Sequence, residues 1–281
     1  MIDKILRIII KYKKGENMQL LTWNTNFCWK KENNEWKEFT SKLILSNYDI
    51  IILQEINPYF LFNMDYNGEN GYIHEFIYGN KNIYYHEFYD ILLKERPNDI
   101  FWGTAIITNE KIHKSKVYFY DNNNQYVGSK YFGYEAFMCY DFILENGNLI
   151  TIINFYKKAN TCNAKYENGK CVNLEEIYKY DDLFFNNFEQ VNGNDHLIIL
   201  TGDFNITKKE NCEYDTTGII KKIMEKGFTN KTNNIGRTML YDNQNDFVFV
   251  NNNFSKNIFD IKKVSPPDFY DHYGIEYKIK Y

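Results

Sequence analysis

Short apolar runs that stop at a carboxylate, an amide or an imidazole constrain this chain more than any other feature. Gln19 to Trp23 and Asp49 to Leu53 come first, each too short for a helix and apolar on successive residues, the pattern of a strand buried on both faces. Between them Trp36, Phe39, Leu43 and Ile44 recur at helical spacing, so the opening unit reads strand, helix, strand. Phe101 to Thr108 and Ala136 to Leu144 predict further strands, and Glu145-Asn146-Gly147-Asn148 turns the latter back into Leu149 to Phe155 as a hairpin. A helix is predicted over Leu174 to Phe188, a buried strand over Leu197 to Thr201, and a second helix around Ile219, Ile220 and Ile223 that stops at Gly227. Phe247 to Val250 and Ile275 to Ile279 supply the late strands.

Alternating strands and helices with two hairpin-like regions predict an α/β fold, a four-layer sandwich of two mixed β-sheets flanked by helices, although the order alone permits other α/β arrangements. Hydrophobic residues make up 44% of the 281, which excludes a disordered chain and fills one large core. With no repeat, Pro-rich linker or low-complexity tail, a single domain over residues 18–281 is expected.

Residues 1–17 stand apart. Ile5 to Ile10 is interrupted by Arg7, is too short for a secretory apolar region and precedes no small-residue cleavage site. Lys14-Gly15-Glu16-Asn17 fits a purine-rich ribosome-binding run, so translation is expected to start at Met18; a native protein whose mass includes residues 1–17 would refute this. No apolar run approaches the roughly 20 residues of a membrane span. Five cysteines, an odd number with no C-x-x-C pair, fit reduced thiols and a cytoplasmic location, with a Cys162–Cys171 bridge as the alternative. The net charge of −4 gives no global pull on a polyanion, so nucleic acid would have to be held by local cations such as Lys157, Lys158 and Lys165 and by a metal.

The chemistry-bearing residues sit where strands end. Trp23-Asn24 closes the first strand, Gln54-Glu55 the second, Thr201-Gly202-Asp203-Phe204-Asn205 follows a central one, Asn245-Asp246 opens a late one and Asp271-His272 precedes the last. Singly, each has a plain reading: Asp203-Phe204-Asn205 as turn chemistry, Glu55 as a solvated boundary residue, Asp271-His272 as a surface pair. Together, on rigid supports, they meet the needs of phosphodiester hydrolysis: charge cancelled on nonbridging oxygens, a positioned nucleophilic water and a stabilised leaving oxygen. No Ser or Cys stands in a recognisable nucleophile motif.

On these motifs the chain resembles the endonuclease/exonuclease/phosphatase superfamily, which includes the DNase I-like and exonuclease III-like enzymes; the matching positions run from Asn24 to His272. The resemblance implies a metal-dependent phosphoric ester hydrolase with Glu55 as principal metal ligand, aided by Asn24 and Asp271, and hard oxygen donors that suit Mg²⁺ or Mn²⁺. It implies Asp203 as the carboxylate that orients or deprotonates water, Asn205 as an amide on a phosphate oxygen, His272 as the catalytic histidine and Asp246 as its partner. In Asn154-Phe155-Tyr156, tyrosine stands where many members carry histidine, as in the exonuclease III-like apurinic endonucleases; Tyr156 would donate to phosphate or assist the leaving group, against a plain role in capping the strand. Arg237 and Thr238 fall where members often contribute a cleft residue. A monomeric nuclease acting on DNA or RNA is expected, with a phosphomonoesterase, sphingomyelinase or inositol-phosphatase type as the alternative on the same scaffold.

Overall fold

A computed structural model describes residues 17–25, 34–56, 73–87, 103–109, 112–118, 136–144, 147–156, 166–167, 170–171, 188, 195–205, 217–239, 244–265 and 271–281. Strand β1 (Met18–Asn24), helix α1 (Asn34–Ile44) and strand β2 (Ile50–Ile56) form the opening unit. A hairpin of β3 (Ile73–Tyr78) and β4 (Lys81–Glu87) follows, then β5 (Gly103–Thr108), β6 (Lys114–Tyr118), β7 (Ala136–Ile143) and β8 (Leu149–Tyr156). After the two-residue strands β9 (Tyr166–Glu167) and β10 (Lys170–Cys171) come β11 (Leu197–Asp203), helix α2 (Thr217–Glu225) and β12 (Phe228–Asn230). The chain closes with β13 (Asp246–Asn251), a 3₁₀ helix (Asn252–Asn257), β14 (Ile258–Val264) and β15 (Gly274–Ile279).

Among the described residues one large sheet has seven strands in the order β14-β15-β1-β2-β5-β4-β3, a second has six in the order β12-β13-β11-β8-β7-β6, and β9 and β10 pair by themselves. Each of the two large sheets is antiparallel except for one parallel pair, β1 with β2 and β8 with β11. Parallel pairing delivers two C-terminal strand ends to the same edge: Asn24 pairs with Gln54 in one sheet and Asp203 with Tyr156 in the other. β13 runs antiparallel to β11, so its first residue, Asp246, lies opposite Asp203. The topology therefore collects the polar strand ends in one place.

Period-2 alternation assigns the apolar side chains to layers. Leu20, Ile50 and Ile52 of the first sheet pack with Ile150, Ile152, Ile199, Val248 and Val250 of the second, forming the core between the sheets. Leu21, Trp23, Ile51 and Leu53 face outward onto Leu43 and Ile44 of α1, while Ile153, Phe155, Ile198 and Leu200 face outward onto Ile219 and Ile223 of α2. This is the expected sandwich of two mixed sheets with helices outside.

Local expectations meet the structure with adjustments. The central strand extends through Asp203 rather than ending at Thr201, because Gly202 and Asp203 continue the ladder with β8 and β13. The Ala136–Leu144 turn-back is a hairpin, with Ile143 paired to Leu149. Helix α2 ends at Glu225, and Gly227 takes φ 92°, a left-handed value suited to a glycine that follows a helix. Of the predicted helix over Leu174 to Phe188 only Phe188 is described; it is helical and fully buried, and the rest lies outside the described residues, as do residues 1–16. Cys139 is a buried free thiol, and Cys162 of the alternative Cys162–Cys171 bridge lies outside the described residues. No helix among the described residues is long and apolar enough to cross a membrane.

Gly202 is fixed by close approach. A Cβ built there would lie 1.9 Å from the Phe155 carbonyl oxygen on the parallel neighbour, and its φ is 138°. Gly202→Ala must push β8 and β11 apart beneath Asp203 and is expected to cost about 3 kcal/mol or more in urea unfolding, at the upper end of overpacking penalties. A loss below about 1 kcal/mol, the size of an ordinary surface change, would show that the strands do not meet so closely.

Candidate active site

Asn24, Glu55, Tyr156, Asp203, Asn205, Asp246, Asp271 and His272 come together at this edge. They enter from six strand ends, Asp203 with Asn205 after β11 and Asp271 with His272 before β15, and their side chains meet directly.

Glu55 arrives through a bulge. The β2–β5 ladder pairs Leu53 with Ala105 and then Ile56 with Gly103, and within this shift Glu55 takes φ 54°. A left-handed, non-glycine residue costs on the order of 1–3 kcal/mol, so the surroundings must enforce it. The reward is direction, since a bulge re-aims a side chain that plain alternation would turn away. Glu55 Oε1 accepts from Asn24 Nδ2 at 3.1 Å and from the Tyr156 hydroxyl at 2.9 Å. Burial raises the Glu55 carboxyl above its ordinary pKa, and the neighbouring Asp271 adds to this, against the lowering effects of Asn24, His272 and Tyr156.

Asp203 is the hub. Its Oδ2 accepts from Asn24 Nδ2 at 2.7 Å and from Asn205 Nδ2 at 3.0 Å, and its Oδ1 accepts from the Asn205 backbone N–H at 2.7 Å. The last bond is an Asx-type turn, and Asn205 tolerates its φ of 45° as asparagine commonly does. The turn chemistry and the functional cluster are thus the same atoms. Phe204 drives the geometry from below, fully buried against Phe155, Phe247 and Phe249 with ring centroids 4.7, 5.5 and 5.5 Å away. Burial, followed by the charges of Asp246 and Glu55, holds the Asp203 carboxyl well above the usual range despite the opposing His272 charge and Asn205 N–H.

His272 is buried with Nδ1 2.9 Å from Asp246 Oδ2, while Nε2 lies 4.0 Å from Asp203 Oδ2 and 3.9 Å from Asp271 Oδ1. Burial opposes its charge, but the Asp246 carboxylate, through charge and hydrogen bond, and then Asp203 and Asp271 outweigh that and push the imidazole up to about 10. This favours the imidazolium, in which Nδ1–H donates to Asp246. The loop is pinned from outside as well: Trp23 Nε1 donates to the His272 carbonyl at 3.1 Å, and Gly274 lets the Trp23 ring pass, since a Cβ there would sit 2.7 Å from it.

Several expected roles change. Both amide hydrogens of Asn24 serve carboxylates, so here it is a donor bridge between Glu55 and Asp203; a ligand role would need its oxygen. The Tyr156 hydroxyl donates to Glu55 Oε1 at 2.9 Å, a contact its sequence position did not suggest. Thr238 is fully buried and not a cleft residue: its hydroxyl accepts the backbone N–H groups of Asn245 and Asp246 at 2.9 and 3.0 Å, and its carbonyl accepts from Tyr273 N at 2.7 Å. It fastens both halves of the Asp246–His272 pair, a role legible only once Tyr273 is known to lie beside it. Arg237 is exposed, and Lys157, Lys158 and Lys165 lie outside the described residues.

Asp203, Asp246 and His272 present ligand-capable atoms within 4.8 Å of one another. An imidazolium carries protons on both nitrogens and is no ligand, so that trio is better read as two acids sharing a positive charge. The fit to a cation rests elsewhere: Asp271 Oδ1 and Asp246 Oδ1 are buried carboxylate oxygens with no hydrogen-bond partner among the described residues, and Glu55 is crowded by Asp271. Buried carboxylate oxygens at such density call for a hard cation.

Buried acids, amides and an imidazole gathered where the edges of two sheets converge are the groups that hydrolysis of a phosphoric ester draws on. The sequence profile of the Endonuclease/Exonuclease/phosphatase family matches residues 21–257, and the chain belongs to that family. Its fold is similar to an endonuclease/exonuclease/phosphatase family protein from Leptotrichia buccalis (18% identity over 94% of this chain and 100% of that one, TM-score 0.57). It is also similar to the 3'-5' exonuclease (NExo) from Neisseria meningitidis (12%, 94% and 100%, TM-score 0.60) and to an AP endonuclease from Archaeoglobus fulgidus (12%, 94% and 100%, TM-score 0.58). No curated protein matches the chain significantly by sequence.

Proposed function

We propose that residues 18–281 form one catalytic domain that hydrolyses phosphodiesters in nucleic acid with a divalent cation, Mg²⁺ or Mn²⁺. The observation that carries this reading is Asp203, held by three N–H contacts and set 4.0 Å from a buried imidazolium. A base and a charged proton donor on facing sides of one cleft are what in-line attack by water on phosphorus requires. Asp203 orients water and takes its proton; Asn205, whose amide nitrogen carries two hydrogens, donates to a nonbridging oxygen; His272 neutralises charge on the phosphoryl group, and Asp246 fixes its ring. Glu55 with Asp271, and Asn24 through its oxygen, would hold the cation, which supplies charge neutralisation at the phosphate when bound. Tyrosine at 156 and the nucleic-acid enzymes among the structural neighbours favour a nuclease.

The deciding experiment is an activity screen with Mg²⁺ or Mn²⁺ over plasmid, abasic-site duplex, single-stranded RNA and phosphoinositides, with His272→Ala as blank. Cleavage of nucleic acid that EDTA silences and added metal restores is the expected result. Phosphate release from phosphoinositides with nucleic acid untouched would replace it by the phosphomonoesterase reading. Tyr156→Phe, which removes the donor to Glu55, is expected to lower kcat about 10-fold, the equivalent of one charge-assisted hydrogen bond; an unchanged rate in the same assay would make Tyr156 a packing residue only.

A further inference from the structure

The bulge that aims Glu55 is held from the other sheet. Asn154 lies on β8, two residues before Tyr156 and on the same face, and is fully buried between the sheets. Its Nδ2 donates to the carbonyls of Leu53 at 3.2 Å and Ala105 at 3.1 Å, and its Oδ1 accepts from Gln54 Nε2 at 2.8 Å. Leu53 and Ala105 are the last paired residues before the ladder shifts register, and Gln54 is the next residue on the bulged strand. One amide thus grips three points around the irregularity: the two carbonyls flanking the break and the side chain that immediately precedes Glu55.

From this geometry we infer that Asn154 is a positioning residue for the cation site, acting through the backbone of Leu53 to Ile56 to hold Glu55 in its left-handed conformation. The inference rests on the metal-dependent reading above. Its chemistry is specific to an amide. A carboxylate at 154 would set negative charge against two carbonyl oxygens, and an aliphatic side chain of the same shape would take the donor from both carbonyls and leave Gln54 Nε2 only the Thr22 hydroxyl at 3.4 Å. With the grip gone, Leu53 to Ile56 is free to relax toward plain alternation, which turns Glu55 away from Asn24 and Tyr156. β8 would then act on Glu55 twice, through Asn154 on its backbone and Tyr156 on its carboxylate.

The test is calorimetric titration of the full chain with Mn²⁺, without substrate, in wild type, Asn154→Leu, Asn154→Ser and Gln54→Met. Asn154→Leu is expected to raise the Kd for Mn²⁺ by about 10-fold or more, the usual penalty for losing a group that orients a ligand. Gln54→Met, which removes one of the three contacts, shifts Kd the same way by less. Should Asn154→Leu not fold, Asn154→Ser carries the same measurement. A Kd within about twofold of wild type in a folded Asn154 variant would overturn the inference and leave Asn154 an ordinary tie between sheets. Wild type that binds Mn²⁺ but cleaves nothing would end the nuclease reading and leave this inference standing, whereas wild type that binds no Mn²⁺ would end both.

Discussion

His272→Ala is expected to lower kcat on the best substrate by about 10³-fold, within the range for removing a positioned acid–base group. The ring is buried, which alone would discharge it, yet Asp246 at 2.9 Å with Asp203 and Asp271 beyond it hold the imidazole up to about 10. A folded pKa above the free value of 6.5 means that the pair's contribution to stability is fully present below 6.5 and is lost as pH climbs through about 10. Turnover should persist well into the alkaline range and fall as pH nears that value. Asp246→Asn removes the largest influence that raises the pKa, so its pH–rate profile should fall off at lower pH, back toward the ordinary imidazole. His272→Asn, which still donates to Asp246, separates charge from packing: it should lose as much rate as His272→Ala while keeping more stability. Wild-type-like turnover in His272→Asn would remove the imidazolium from the mechanism.

What the amino-acid sequence disclosed of this site, and what it withheld, divides along physical lines. Strands buried on both faces, such as Ile50 to Leu53 and Leu197 to Leu200, announce themselves because every residue must be apolar, and the polar residue that breaks each run marks the strand end that lines the cleft. Edge strands do not. In β14, Phe259, Asp260, Lys262 and Lys263 are exposed, and the strand shows no continuous apolar run to find. The β3–β4 hairpin, which turns at Gly79 with φ 61°, went unpredicted for the same reason: β3 exposes Glu75 and Ile77 and has no continuous apolar run. Convergence of Glu55, Asp203 and His272 was implied by the family resemblance of their motifs, each of which stands at a strand end. The bonds among them were not, because whether Tyr156 points at a phosphate or at Glu55 depends on a bulge that residue type does not reveal.

Asp203→Asn is the second large effect, an expected loss of about 10³-fold or more in kcat, since the substitution removes both the base and the charge opposite His272 while keeping the shape. Its pH signature is the mirror of the histidine's. Burial, then Asp246 and Glu55, raise the carboxyl, so in the wild type the acid limb of kcat should lie above the ordinary carboxylate range. A cation beside Glu55 favours the ionised form, so raising Mn²⁺ at fixed substrate should move that limb to lower pH. The two acids then report on each other: the proton that leaves Asp203 and the cation held by Glu55 compete for the same negative charge, bridged by Asn24. An acid limb that ignores Mn²⁺ concentration would mean that the carboxylate taking the proton is not the one this cluster surrounds, and the base would have to be sought elsewhere.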